Sequence, residues 1–204
     1  MKLAIIGATG KTGNAVLEVA RTRKITVTAV VRNAAKLTEP VSVIEKDIFA
    51  LTPADLQGFD VVICAFASSK KSDYPRVNQH LVEILTGTDT RLIVVGSGAT
   101  LFTDETRQKT VGDELPLIMR NSSRKHLQAR QILQSSRLNW TYMAPPMNYV
   151  PDGNATGSYQ VGHDVLLYDR HGDSTISYAD MALALVDEVE HPQNERQLMT
   201  VAWK

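Results

Sequence analysis

The sequence predicts a doubly wound α/β domain on a mainly parallel sheet, and three observations predict it. Short apolar, β-branched runs recur along the 204 residues and alternate with stretches of helical spacing, the pattern that places helices on both faces of a parallel sheet. The first run, Leu3-Ala4-Ile5-Ile6, is continuously apolar, as a strand buried on both faces must be. Glycines follow it at positions 7, 10 and 13, where a strand would turn into a helix. The length suits one domain, residues 1–204, with residues 144–177 expected as a small lid on the substrate side.

Each glycine has a physical task. Gly7 permits the sharp turn, Gly10 lets backbone approach a ligand, and Gly13 lets the following helix, from about Lys11 to Arg23, pack close to the strand. Free amides and the helix dipole at that N-terminus favour a diphosphate, with Gly7, Thr9, Gly10, Lys11, Thr12 and Gly13 as its holders. The spacing is G-x-x-G-x-x-G, so it departs from the commoner G-x-G-x-x-G dinucleotide turn. A triphosphate-binding P-loop is disfavoured, because Ile5 stands where that motif needs its first glycine.

The second strand, Ile25 to Val31, ends at Arg32, where an arginine suits a ribose 2′-phosphate and an acid would suit a free 2′-hydroxyl. The expected cofactor is therefore NADP(H) in preference to NAD(H). Val41 to Glu45 is a third strand; beyond it Asp47 can accept from an adenine amino group while Ile48 packs on the ring. Thr52-Pro53 opens a helical turn, and Val61 to Phe66 forms a fourth strand whose end, Ala65 and Phe66, lies along the nicotinamide side. A helix from about Pro75 to Leu85 precedes the fifth strand, Arg91 to Val95. That strand delivers Ser97 between two glycines into the cleft. Val95-Gly96-Ser97-Gly98-Ala99 is not the G-x-S-x-G nucleophile elbow, which argues against hydrolysis.

Thr100 to Asp113 reads as a mobile polar crossing, and Leu115 to Ser136 as a long helix carrying His126. The sixth strand, Leu138 to Met143, stops at Ala144-Pro145-Pro146, and Pro145 joins the cofactor-binding group. Tyr142, Met143, Met147, Asn148 and Tyr149 are expected to line the substrate side. Ser158 to Val161 and Val165 to Tyr168 read as a hairpin lid, Ser177 with Asp180 as the cap of a last helix, and Gln197 to Trp203 as the last strand.

Lysine plus arginine and aspartate plus glutamate both number 22, so no net field recruits nucleic acid or an anionic membrane. Lys70-Lys71 and Arg124-Lys125 read as solvated faces. No run approaches a membrane span and Met1-Lys2 leads straight into a strand, so a cytoplasmic protein is expected. The one cysteine, Cys64, lies in an apolar strand and reads as core. His80, His163, His171 and His191 lack metal-ligand spacing, and no metal is expected.

Gly7-Ala8-Thr9-Gly10-Lys11-Thr12-Gly13, Val30-Val31-Arg32, Val95-Gly96-Ser97 and Leu138 to Pro146 together resemble the atypical short-chain dehydrogenase/reductase superfamily. Within it they are most similar to the small NmrA-like branch of NADH-flavin reductases and biliverdin-IXβ/flavin reductase. Gly157-Ser158-Tyr159 and Ile176 to Ala182 extend the resemblance over nearly the whole chain. It implies a Rossmann-like fold, Ser97 in the position of the family's active-site serine, and His126 in that of a histidine of the biliverdin/flavin reductase. One departure matters. The carbonyl-reducing members use Tyr-x-x-x-Lys, but here Asn121 stands four residues before Lys125. Without that proton donor, ketone reduction is disfavoured, and a planar conjugated acceptor such as a flavin or quinone is expected. The resemblance also implies two rivals: a non-catalytic NAD(P)-sensing regulator of NmrA type that docks on a protein partner, and a nucleotide-sugar epimerase or dehydratase. The expected chain is a monomer or a homodimer.

Overall fold

The computed structural model describes residues 1–151 and 153–204. Strand β1 (Lys2–Ile6) leads through the glycine turn to α1 (Lys11–Thr22), then β2 (Thr26–Val31), β3 (Ser42–Glu45), β4 (Val61–Cys64), α2 (Asp73–Leu85) and β5 (Arg91–Val95). The second half holds α3 (Val111–Glu114), α4 (Leu117–Ser135), β6 (Trp140–Ala144), β7 (Asn148–Val150), β8 (Tyr159–Gly162), β9 (Thr175–Ser177), α5 (Tyr178–Glu190) and β10 (Gln197–Trp203). The main sheet runs β3-β2-β1-β4-β5-β6-β10-β8, with every pairing parallel except β10 with β8.

In β1, Ala4 and Ile6 point into a core with α2 and α4, while Leu3 and Ile5 point into a second core with α1 and α5. That is why the run is continuously apolar: both sides of the pleat are covered. The order reverses between β1 and β4, whose carboxyl ends separate into the crevice that open α/β sheets offer to ligands.

Two features of the carboxyl-terminal half correct the sequence reading. Ser158 to Val161 and Val165 to Tyr168 do not form a hairpin: β8 pairs antiparallel with β10, Val161 opposite Val201, and Val165 only bridges Phe102. The long edge of β10 offers more ladder than a short arm across a turn. The crossing from Thr100 to Asp113 is not simply a polar loop, because Thr100, Leu101 and Val111 are buried and a capping box of Thr110 and Asp113 starts α3. β7 and β9 form a separate parallel pair above the carboxyl ends.

At the opposite end of the sheet a buried ion pair joins Arg91 of β5 to Glu188 of α5. Arg91 also donates to Thr141 Oγ1 at 2.6 Å, and Glu188 accepts from the Asn194 amide at 2.9 Å and its side chain at 2.8 Å. Removed from water, these charges depend on one another and on the loop before β10. No described helix is long and apolar enough to cross a membrane.

Candidate functional site

The site begins at the glycine turn. Gly7 holds φ +81°, and a Cβ there would lie 2.7 Å from the Ala65 carbonyl oxygen, so glycine is required by both conformation and space. A Cβ at Gly13 would overlap the Gly7 carbonyl, which makes that glycine a contact between helix and turn. The Gly10 amide donates to Gly7 O at 2.9 Å, and the first helical bond runs from Asn14 N to Gly10 O at 2.8 Å. Gly10 provides no side-chain cap and the first turn holds no acid. The amides of Lys11, Thr12 and Gly13 are thus the unpaired donors of a helix start. Donors without an acceptor, above a cradle kept free of side chains, fit a diphosphate.

On one side of this turn lies a cavity of about 180 Å³ lined by Gly7, Thr9, Gly10, Arg32, Asp47 and Ile48. The Arg32 side chain is exposed at the end of β2 and makes no ion pair among the described residues. Asp47 Oδ1 accepts from Phe49 N at 2.9 Å, capping a short 3-10 turn that presses Ile48 into the core. Lys46 also lines this cavity, but its ammonium pairs with Asp55 at 2.6 Å.

On the other side lies a cavity of about 350 Å³ that shares Ala65, Phe66 and Ala67 with the first. Thr12, Ser97, His126 and Pro145 line it, together with Tyr74, Met119, Met147 and Tyr149. Ser97 is held by its neighbours: its amide donates to Tyr142 Oη at 3.2 Å, and its hydroxyl oxygen accepts from Ala99 N at 3.3 Å, leaving the hydroxyl hydrogen free. Gly96 is what permits this, because any Cβ there would fall inside the Tyr142 ring. Burial pushes the Tyr142 phenol up to about 12, so it stays protonated beneath Ser97.

His126 is half-buried, and its ring stacks on Tyr74 with centroids 4.0 Å apart and planes 34° from parallel. Burial first, then the charge of Lys71, lowers it to about 4, which makes it a neutral imidazole at pH 7. Tyr74 in turn meets Phe66 edge-on at 6.1 Å and donates its hydroxyl to Ser68 O at 3.0 Å. Phe66, Tyr74 and His126 therefore form one aromatic wall.

Of the residues singled out by sequence, Gly7, Thr9, Gly10, Arg32, Asp47, Ile48, Ala65 and Phe66 meet at the first cavity, and Thr12, Ser97, His126 and Pro145 at the second. Lys11 and Gly13 line neither; Lys11 is exposed and Gly13 is packed under Gly7. Tyr142 and Met143 are fully buried in the two cores, and Asn148 turns to Thr175, so only Met147 and Tyr149 of that stretch line the larger of these two cavities. Sequence reasoning missed Tyr74 and Met119, which stand at ordinary helical positions with no local signal.

A family model described as NAD(P)H-binding matches residues 7–192, from the first glycine through the end of α5. The chain belongs to the NAD(P)H-binding family. It is 40% identical over 208 residues to the uncharacterized protein YwnB of Bacillus subtilis (strain 168), covering 98% of each chain. Among solved structures it is similar to a "putative NADH-flavin reductase" of Streptococcus pneumoniae TIGR4, with 36% identity, a TM-score of 0.93 and full coverage of both chains. It is also similar to a "putative epimerase" of Bacteroides thetaiotaomicron, with 28% identity, a TM-score of 0.89, and coverage of 99% and 96% of the two chains. The sequence resemblance to the NmrA-like branch of atypical short-chain dehydrogenase/reductases stands, and this NAD(P)H-binding domain has the fold of its reductase-like neighbours.

Proposed function

We propose that this chain is a reductase that holds NADP(H) in preference to NAD(H) and passes hydride to a flat conjugated acceptor, a flavin or a quinone-like ring. The observation that carries the reading is the continuity of the two cavities through Ala65, Phe66 and Ala67, with an exposed guanidinium at one end and an aromatic wall at the other. Gly7, Thr9, Gly10, Thr12 and the first amides of α1 would hold the diphosphate, with Lys11 and Gly13 completing the turn. Arg32 would hold the 2′-phosphate, and Asp47 with Ile48 the adenine. Ala65, Phe66, Ser97 and Pro145 would lie along the nicotinamide ribose and ring. When bound, the reduced nicotinamide supplies the hydride.

The protein's own part is alignment and exclusion of water. Phe66, Tyr74 and His126 form a face on which a planar acceptor can stack. The free hydroxyl hydrogen of Ser97 can hydrogen-bond to acceptor or nicotinamide, and the neutral His126 can donate one N–H without adding a charge. Asn121 in place of a tyrosine leaves no acid built for a carbonyl oxygen, which favours an acceptor whose ring spreads the incoming charge.

A second reading, an NAD(P)-sensing regulator, is favoured by one feature. Leu117, Ile118 and Met119 at the start of α4 are 80%, 89% and 51% exposed beside the cavity mouth, an apolar patch of the kind that partners cover. Stopped-flow mixing of the NADPH complex with riboflavin phosphate and with a small quinone separates the two. Oxidation well above the buffer rate that falls in Ser97→Ala supports the reductase; tight NADPH binding without turnover supports the sensor. For the cofactor preference, Arg32→Ala is expected to weaken NADPH roughly 10- to 100-fold, as loss of one charge-assisted contact implies, and to leave NADH within about twofold. Equal affinity of the unmodified protein for both nucleotides would overturn the preference.

A further inference from the structure

Tyr149 stands between the two halves of the site. Its ring lines the acceptor-side cavity, and its hydroxyl lies 3.0 Å from Thr12 Oγ1 in the first turn of α1. We propose that Tyr149 is a positioning residue that fixes the direction of the Thr12 hydroxyl at the diphosphate turn and so couples the acceptor wall to cofactor affinity. This rests on the reading of that turn as the diphosphate site.

Two observations make the placement rigid. The Tyr149 ring stacks on Tyr178 with centroids 3.7 Å apart and planes 15° from parallel. Its strand, β7, pairs with β9, Tyr149 opposite Ile176 and Val150 opposite Ser177. Ser177 caps α5, accepting from Asp180 N at 3.0 Å, and α5 packs along α1, the helix that carries Thr12. The phenol is therefore held from its ring, its strand and the helix beneath.

The direction follows from counting protons. A threonine hydroxyl has one hydrogen and two lone pairs, and a phosphate oxygen only accepts. Once Thr12 donates to an anion, the bond to Tyr149 survives only with Tyr149 as donor. The chain then runs Tyr149 O–H to Thr12 Oγ1, and Thr12 O–H to the anion. Burial raises the Tyr149 phenol far above neutral pH, so the proton this chain needs is present. Without the phenol, the Thr12 hydroxyl is free to turn among its rotamers and must be ordered when the anion arrives.

The test is a double-mutant cycle on NADPH affinity, read by fluorescence titration of the unmodified chain, Tyr149→Phe, Thr12→Val and the double variant. Tyr149→Phe keeps the ring and its stack and removes only the hydroxyl. It should weaken NADPH about three- to tenfold, the range for one neutral hydrogen bond. Thr12→Val should weaken it at least as much, and the double variant no further than Thr12→Val alone, because Tyr149 acts through Thr12. Thr12→Ser, which keeps the hydroxyl, should restore affinity to near that of the unmodified chain and retain the full cost of Tyr149→Phe. Unchanged affinity in Tyr149→Phe, or losses that multiply in the double variant, would overturn the inference and leave the nucleotide reading intact. If the unmodified chain bound neither NADPH nor NADH, the reading beneath it would fall as well.

Discussion

Gly96→Ala tests whether Ser97 is held in the cleft by the close approach of Tyr142 to a bare backbone. A Cβ at position 96 would overlap Cζ, Oη and Cε1 of Tyr142, far inside ordinary contact. Tyr142 is fully buried and the cavity beside it and Gly96 holds only about 10 Å³, so the ring or β5 must shift. Overpacking of this kind costs about 1–3 kcal/mol. Moving the ring also breaks the bond from Ser97 N to Tyr142 Oη, worth about 1 kcal/mol. The expected loss is thus about 2–4 kcal/mol, which for a chain of this length lowers the melting temperature by roughly 5–15 °C. Urea unfolding followed by circular dichroism measures it. Tyr142→Leu removes the three overlapped atoms, so the Gly96→Ala/Tyr142→Leu pair should be more stable than the sum of the single losses by at least about 1 kcal/mol. A Gly96→Ala protein as stable as the unmodified chain, or strict additivity in the pair, would refute the reasoning.

Two further predictions concern charge. Glu188→Ala leaves Arg91 buried without its carboxylate and should cost about 3–5 kcal/mol, whereas Arg91→Met with Glu188→Leu should recover much of that, as urea midpoints would show. His126 takes up a proton near pH 6.5 when unfolded but only near 4 when folded, so the unfolded chain binds more protons between these values and stability rises with pH across that window. The part of the slope due to His126 should not exceed about 1.4 kcal/mol per pH unit, and the slope should be smaller in His126→Gln by no more than that. An unchanged slope in that variant would show that His126 is not the group responsible.

The half of the candidate site around the glycine turn was legible because its residues lie next to one another along the chain. Gly7, Thr9 and Gly10 share one turn, Arg32 ends the neighbouring strand, and Asp47 with Ile48 ends the next. In a parallel sheet the strand ends gather at one edge whatever the side-chain detail. The half around Ser97 was only partly legible. Ser97 carried a signal in its flanking glycines, but Gly96 serves Tyr142 as well as Ser97, and nothing local shows a tyrosine 46 residues later lying against it. The hairpin expected near residue 160 failed for a related reason: a β-rich segment records that it pairs, not with which edge, and β10 was the better partner.

By itself the sequence determined the doubly wound architecture, the glycine turn and the succession of strands and helices along the first two thirds of the chain, since periodicity, buried runs and turn residues act over a few positions of chain. Only the tertiary structure decided that His126 stacks on Tyr74 as a neutral ring and that β8 closes the sheet. It alone brought Tyr149 to Thr12 across 137 residues. These contacts depend on how helices and strands settle onto a shared core, and that packing is a property of the whole chain.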